Sequence, residues 1–172
     1  MSEAWTRAIL RTVILAAVVA AINITLAWTG RYTIVWLSAV LVLGAEVVGF
    51  VLILRATARR GFGFLRQLAV GSVAVVLLAL LLFPATVFAL TVAAPDYGEV
   101  LSAMQRADME EQGVPAEEIE EALARFRDMN TPVRQGYYTM IGTAITCAPI
   151  VLVISIFVRA RDGRVRDDVE PS

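Results

Sequence analysis

Four apolar stretches, each long enough to cross a lipid bilayer, constrain this chain more than anything else in it. They cover about residues 8–28, 32–54, 68–94 and 136–158. A hydrocarbon core of ~30 Å is crossed by about 20 helical residues at ~1.5 Å each, so all four qualify. The expected fold is all-α: a polytopic membrane protein with four transmembrane helices. Composition agrees, because a 172-residue chain that is 58% hydrophobic and 18% charged is a poor soluble domain and an ordinary small membrane bundle.

The first span is expected from Ala8 to Trp28. Trp5 and Trp28 bracket it as interfacial anchors, and Arg7 and Arg11 can snorkel to the headgroups. The run is long for a signal-peptide core and no polar linker follows, so it reads as a retained helix. Only Thr29-Gly30-Arg31 separates it from the second span, Tyr32 to Leu54, which makes the two antiparallel neighbours. The third span, Leu68 to Ala94, is too long to stand upright and is expected to tilt, or to bend at Pro84. Pro84 and Pro149 each free a carbonyl one turn back, at Leu80 and Ile145, and so shape the packing of their spans or open a gate there.

Arginine placement orients the spans. Ten of the fifteen basic residues, all of them arginine, fall on one side: Arg7 and Arg11, then Arg55, Arg59, Arg60 and Arg66, then Arg159, Arg161, Arg164 and Arg166. The opposite side carries Arg31, Arg106, Arg125, Arg127 and Arg134. By the positive-inside rule both termini, with the tail at 159–172, are expected in the cytoplasm. The basic connection around Arg59 and Arg60 has no acid and is expected to lie on anionic headgroups rather than on nucleic acid.

The external side then holds an acidic insert, residues 95–135, with ten acids against four arginines. Val100, Leu101, Met104 and Ala107 have helical spacing, and Ile119, Ala122, Leu123, Phe126 and Met129 form an amphipathic stripe. Gly113 ends the first helix, Pro115 suits the first turn of the second, and Thr131-Pro132 reads as a cap opening the last span. A two-helix hairpin is expected, and Glu117, Glu118 and Glu121 make its candidate partner surface, attractive to a basic protein. These acids point to several faces and lack the Asp-rich pattern of a calcium loop, so the reading is a solvated face with no metal.

Inside the spans the one deeply placed ionisable residue is Glu46. A carboxylate there costs roughly 2.5–3.5 kcal/mol on insertion scales, so it is expected protonated, paired or facing a wet cavity. Ser38, Ala45 and Gly49 form a small-residue stripe beside it, suited to close helix packing. Asn23 is the tempting partner. Counted from the shared turn, however, it lies roughly 13 Å from Glu46 along the axis, too far for a direct bond in a simple hairpin. The glycosylation pattern at Asn23-Ile24-Thr25 is inside a span and carries no meaning.

The chain has no His and a single Cys, Cys147, within the last span. An intrachain disulfide is impossible, His- or Cys-based zinc sites lack ligands, His-ligated haem is excluded, and the usual triad base is missing. No enzyme activity and no cofactor are expected. The lack of lysine reads as the coding bias of a GC-rich genome, which points to a bacterium.

A set of short motifs recurs in a familiar order. Gly61-Phe62-Gly63-Phe64 precedes a span with Gly71, and Pro95-Asp96-Tyr97 follows it. Gly113 comes before Glu117-Glu118-Ile119-Glu120, and Met129-Asn130-Thr131-Pro132 leads into a span closing with Ile154-Ser155-Ile156-Phe157 and a basic tail. From about Arg7 to Arg161 the chain resembles the four-span bacterial membrane family catalogued as domain of unknown function 4199. The resemblance implies a bacterial inner-membrane protein and no assigned ligand or catalytic residue. Members commonly carry Ser before the acidic turn, where this chain has Val114-Pro115. The expected role is a non-enzymatic envelope component acting through contacts with a partner protein or a second copy of itself. The alternative is a small transporter or ion-coupled subunit using Glu46, and Asn23, within an oligomer.

Overall fold

The computed structural model describes residues 3–31 and 34–167, with 159–167 as backbone only. It contains α1 (Glu3–Trp28), α2 (Val35–Ala58), α3 (Phe64–Phe88) running into a π-helical turn (Ala89–Ala93), α4 (Tyr97–Glu111), α5 (Ala116–Met129) and α6 (Pro132–Asp167). Four stretches have the length and apolarity of membrane spans: Trp5–Trp28, Trp36–Ala58, Phe64–Ala93 and Pro132–Val158. The expected all-α, four-span architecture is therefore present. Tyr32, where the second span was expected to begin, lies outside the described residues, as do residues 168–172 of the tail; the rest of the tail simply continues α6 to Asp167.

The spans overrun their apolar cores where nothing stops the helix. The second continues through Arg55-Ala56-Thr57-Ala58 until Gly61, whose φ of 74° is cheap only for glycine. There the Gly61 N–H donates to the Ala58 carbonyl at 2.8 Å and the Phe62 N–H to the Thr57 carbonyl at 3.3 Å, the paired bonds of a Schellman cap. The fourth starts four residues earlier than its apolar run, at Pro132, because Thr131 caps it: the Arg134 N–H donates to Thr131 Oγ1 at 3.4 Å.

Helix α1 packs against α2 and α3, and α6 packs against α2 and α3, so the four spans form a ring in the order α1, α2, α6, α3. Leu15 and Arg11 of α1 meet Gly49 and Leu52 of α2, which fixes that pair as antiparallel. Val151 against Gly71, and Val87 with Phe83 against Gly136, do the same for α3 and α6. The Phe83 and Tyr137 rings pack tilted by 53°, centroids 4.9 Å apart, beside the last contact. Phe50, Ile53, Leu54, Leu78, Leu82 and Val151 fill the centre, fully buried. Lipid chains are as apolar as these side chains, so the bundle is held by close packing, and the glycines that admit a neighbouring side chain matter most. Of the expected small-residue stripe, Gly49 makes such a contact, with Leu15 Cδ1 2.6 Å from where its Cβ would be.

One expectation changes: Trp28 faces outward at 79% exposed, but Trp5 packs half-buried on the core and is no outward anchor. The third span continues as helix through Pro84, and a π-helical irregularity follows one turn later, where the Ala94 N–H reaches back five residues to the Ala89 carbonyl at 3.0 Å. Thr91 Oγ1 donates to the Val87 carbonyl at 2.8 Å within that turn.

Candidate functional site

Glu46 lies on the side of α2 that meets α6, 3% exposed. The thiol of Cys147, fully buried on α6, lies beside its carboxyl. Sequence reasoning placed each residue in its span and missed the pair, because nothing in the chain announces that the second and fourth spans are neighbours. The signal available was the coincidence of the lone acid and the lone cysteine at mid-span. A thiol is a weak donor, so the carboxyl gains orientation from it more than energy.

Asn23 does not join this pair. It is half-buried on α1, and no hydrogen bond links it to Glu46. The first helix runs to Trp28 while the second begins only at Val35, so the axial offset shrinks from the expected value to ~9 Å, still beyond bonding reach. A second buried polar pair was not foreseen. Gln67 on α3 donates through Nε2 to the Phe62 carbonyl at 3.0 Å, tying the basic connection to the bundle. Its Oε1 and the Ser155 hydroxyl of α6 are both buried with no hydrogen-bond partner among the described residues. They sit one turn beyond the Gly71–Val151 contact, each on its own helix, which brings them level.

The insert is a helical hairpin. α4 and α5 contact each other and scarcely touch the spans. Gly113, at φ 74°, closes α4, with the Val114 N–H donating to the Met109 carbonyl at 3.1 Å. Ile119 and Leu123 are buried in the hairpin seam, as the stripe requires, while Met129 is exposed. On α4 the stripe is turned by about one position. Met104 and Ala107 are exposed, and Ser102 is buried instead. The cause is local: Ser102 Oγ donates to the Gly98 carbonyl at 2.7 Å, which satisfies it and leaves a small surface for the α5 side chains to approach.

The hairpin's charges are partly internal. Arg106 pairs with Glu120 across the seam and lies 3.9 Å from Glu110, and the Glu120 carboxylate holds its guanidinium above the usual arginine range. Arg125 pairs with Glu121. Of the candidate partner surface, Glu121 is thus engaged, whereas Glu117 and Glu118 are exposed with no ion pair among the described residues. A cleft of about 780 Å³ runs along α4 between Glu99 and Arg127. Among the described residues no three His, Cys, Asp or Glu side chains converge as metal ligands.

Together these features define a multi-pass helical membrane protein with a polar hairpin inserted before its last span. No protein family, no curated protein and no solved structure matches the chain.

Proposed function

We propose that this protein is a non-enzymatic component of the bacterial inner membrane, with both termini in the cytoplasm, that engages a protein partner through its hairpin on the outer face. The observation behind the reading is the hairpin's independence: its helices pack on each other, leave Glu117 and Glu118 without an ion pair among the described residues, and make little contact with the spans. A segment that contributed only to the bundle would be expected to lie on it. The arginine bias supports the orientation, and the lysine-free basic set and the resemblance to the unknown-function family 4199 support the bacterial origin.

The test is photo-crosslinking in cells from a probe at Gln112 or Glu118, both exposed. A single recurrent adduct with another protein carries the proposal. An adduct with a second copy makes the hairpin a self-association device. Capture of lipid alone, or a reporter fused after Ser172 that proves external, sinks it.

The buried Glu46–Cys147 pair favours one second reading, an ion-coupled subunit. Against it, Glu46 lines neither the cleft between α1 and α2 nor the one along α4. Proton flux through purified protein that is abolished by Glu46→Gln would establish this alternative.

A further inference from the structure

A cleft of about 470 Å³ opens between α1 and α2 on the outside of the bundle. Ile14, Val18, Val48 and Leu52, all exposed, form its apolar walls, and at the end near the α2–α3 connection the lining changes to Arg11, Arg55 and Arg59. No acid lines it. Arg11 is fixed in place by donating from Nη1 to the Leu52 carbonyl at 3.1 Å, and neither Arg55 nor Arg59 forms an ion pair among the described residues. From Arg59 to Ala45 the lining follows α2 for ~21 Å, enough to carry an acyl chain from the headgroup level through one leaflet of a ~30 Å core.

We infer that this cleft is a binding site for one anionic phospholipid, its phosphate held among Arg11, Arg55 and Arg59 and an acyl chain laid along the α1–α2 seam. The charges choose this occupant over a second copy of the chain. A two-fold contact through the same cleft would set the three guanidiniums against their own counterparts, whereas a phosphodiester neutralises them and its tail covers the apolar wall. The site depends on the basic end of the bundle and not on the hairpin, so it stands or falls separately from the partner proposal.

Native mass spectrometry of the full-length protein, titrated in detergent with phosphatidylglycerol or phosphatidylcholine, tests it. The wild-type protein is expected to retain one phosphatidylglycerol at roughly tenfold lower lipid concentration than phosphatidylcholine, as a few desolvated arginine contacts imply. Arg55→Gln with Arg59→Gln removes that preference, and so does Val48→Trp, which fills the cleft from an exposed position and spares the arginines. Arg60→Gln with Arg66→Gln removes the same charge outside the cleft and leaves the preference intact. Equal loss in both arginine pairs, or unchanged binding in Val48→Trp, overturns the site, because the arginines then act as a diffuse surface charge. A Val48→Cys protein that crosslinks to a second copy also overturns it, by placing a protein where the lipid belongs.

Discussion

Val151 of α6 stands in the space that a side chain at Gly71 of α3 would need, far inside van der Waals contact, with Leu54 of α2 3.5 Å away on the other flank. Three of the four spans therefore meet at one missing Cβ. Gly71→Ala is expected to cost about 1–3 kcal/mol through forced separation of α3 and α6. Gly44→Ala, on α2 with nothing within 4 Å of its Cβ, is expected to stabilise slightly by reducing backbone freedom in the unfolded chain. Unfolding in mixed detergent micelles, with the two variants side by side, separates the packing effect from the helix-propensity effect.

The Glu46–Cys147 contact predicts an asymmetry. Cys147→Ala leaves the buried carboxyl without its polar neighbour and opens a small void, and is expected to destabilise by about 1 kcal/mol. Glu46→Leu with Cys147→Ala removes both polar partners and is expected to recover most of that loss, since an apolar pair suits the lipid-depth interior. A double-mutant cycle on the same unfolding assay measures it; strictly additive losses would show that the two residues are not coupled.

Leu123 is the deepest side chain of the hairpin seam. Leu123→Ala is expected to cost the hairpin about 2–5 kcal/mol while leaving the spans untouched, because α4 and α5 scarcely contact them. Hydrogen exchange of the full-length protein reads this directly: faster exchange over 97–129 and no change over 64–88. Faster exchange in both regions would mean that hairpin and bundle unfold as one unit.

Ser155 has a buried hydroxyl with no partner among the described residues. Ser155→Ala is thus expected to be neutral or mildly stabilising, the reverse of most buried substitutions. A clear loss of stability would reveal that the hydroxyl bonds to the Gln67 Oε1 or to water between the two helices.

The architecture was largely legible because its causes are local. Twenty apolar residues in a row specify a span whatever they pack against, and Gly113, Thr131 and Pro132 punctuate the chain by backbone geometry alone. Span ends were less legible, since residues such as Arg55 and Thr57 are good enough helix formers to continue a helix past its apolar core. What lies beside Glu46 was signalled only by the shared mid-span depth of the lone acid and the lone cysteine: it depends on the ring order of the spans, a tertiary fact encoded in steric contacts such as Gly71 with Val151 rather than in any motif. The hairpin face was misjudged by one position at Met104 for a related reason, because a self-bonded Ser102 packs like a small apolar residue.

The π-helical turn at Ala89–Ala93 has a geometric consequence for everything beyond it. Such a turn absorbs one residue more than an α-turn, and each residue of a helix swings the chain ~100° about the axis. The turn takes up one residue, so deleting one there would restore regular winding and leave the departing hairpin's bearing nearly unchanged, whereas a residue added beyond the one it absorbs would rotate the hairpin by roughly that angle, with little in the bundle to resist, since the hairpin scarcely rests on the spans. Its compass bearing around the bundle is set by counting residues, not by adhesion, so the turn buffers the loss of one codon, while the gain of one is enough to point the same surface at a different neighbour.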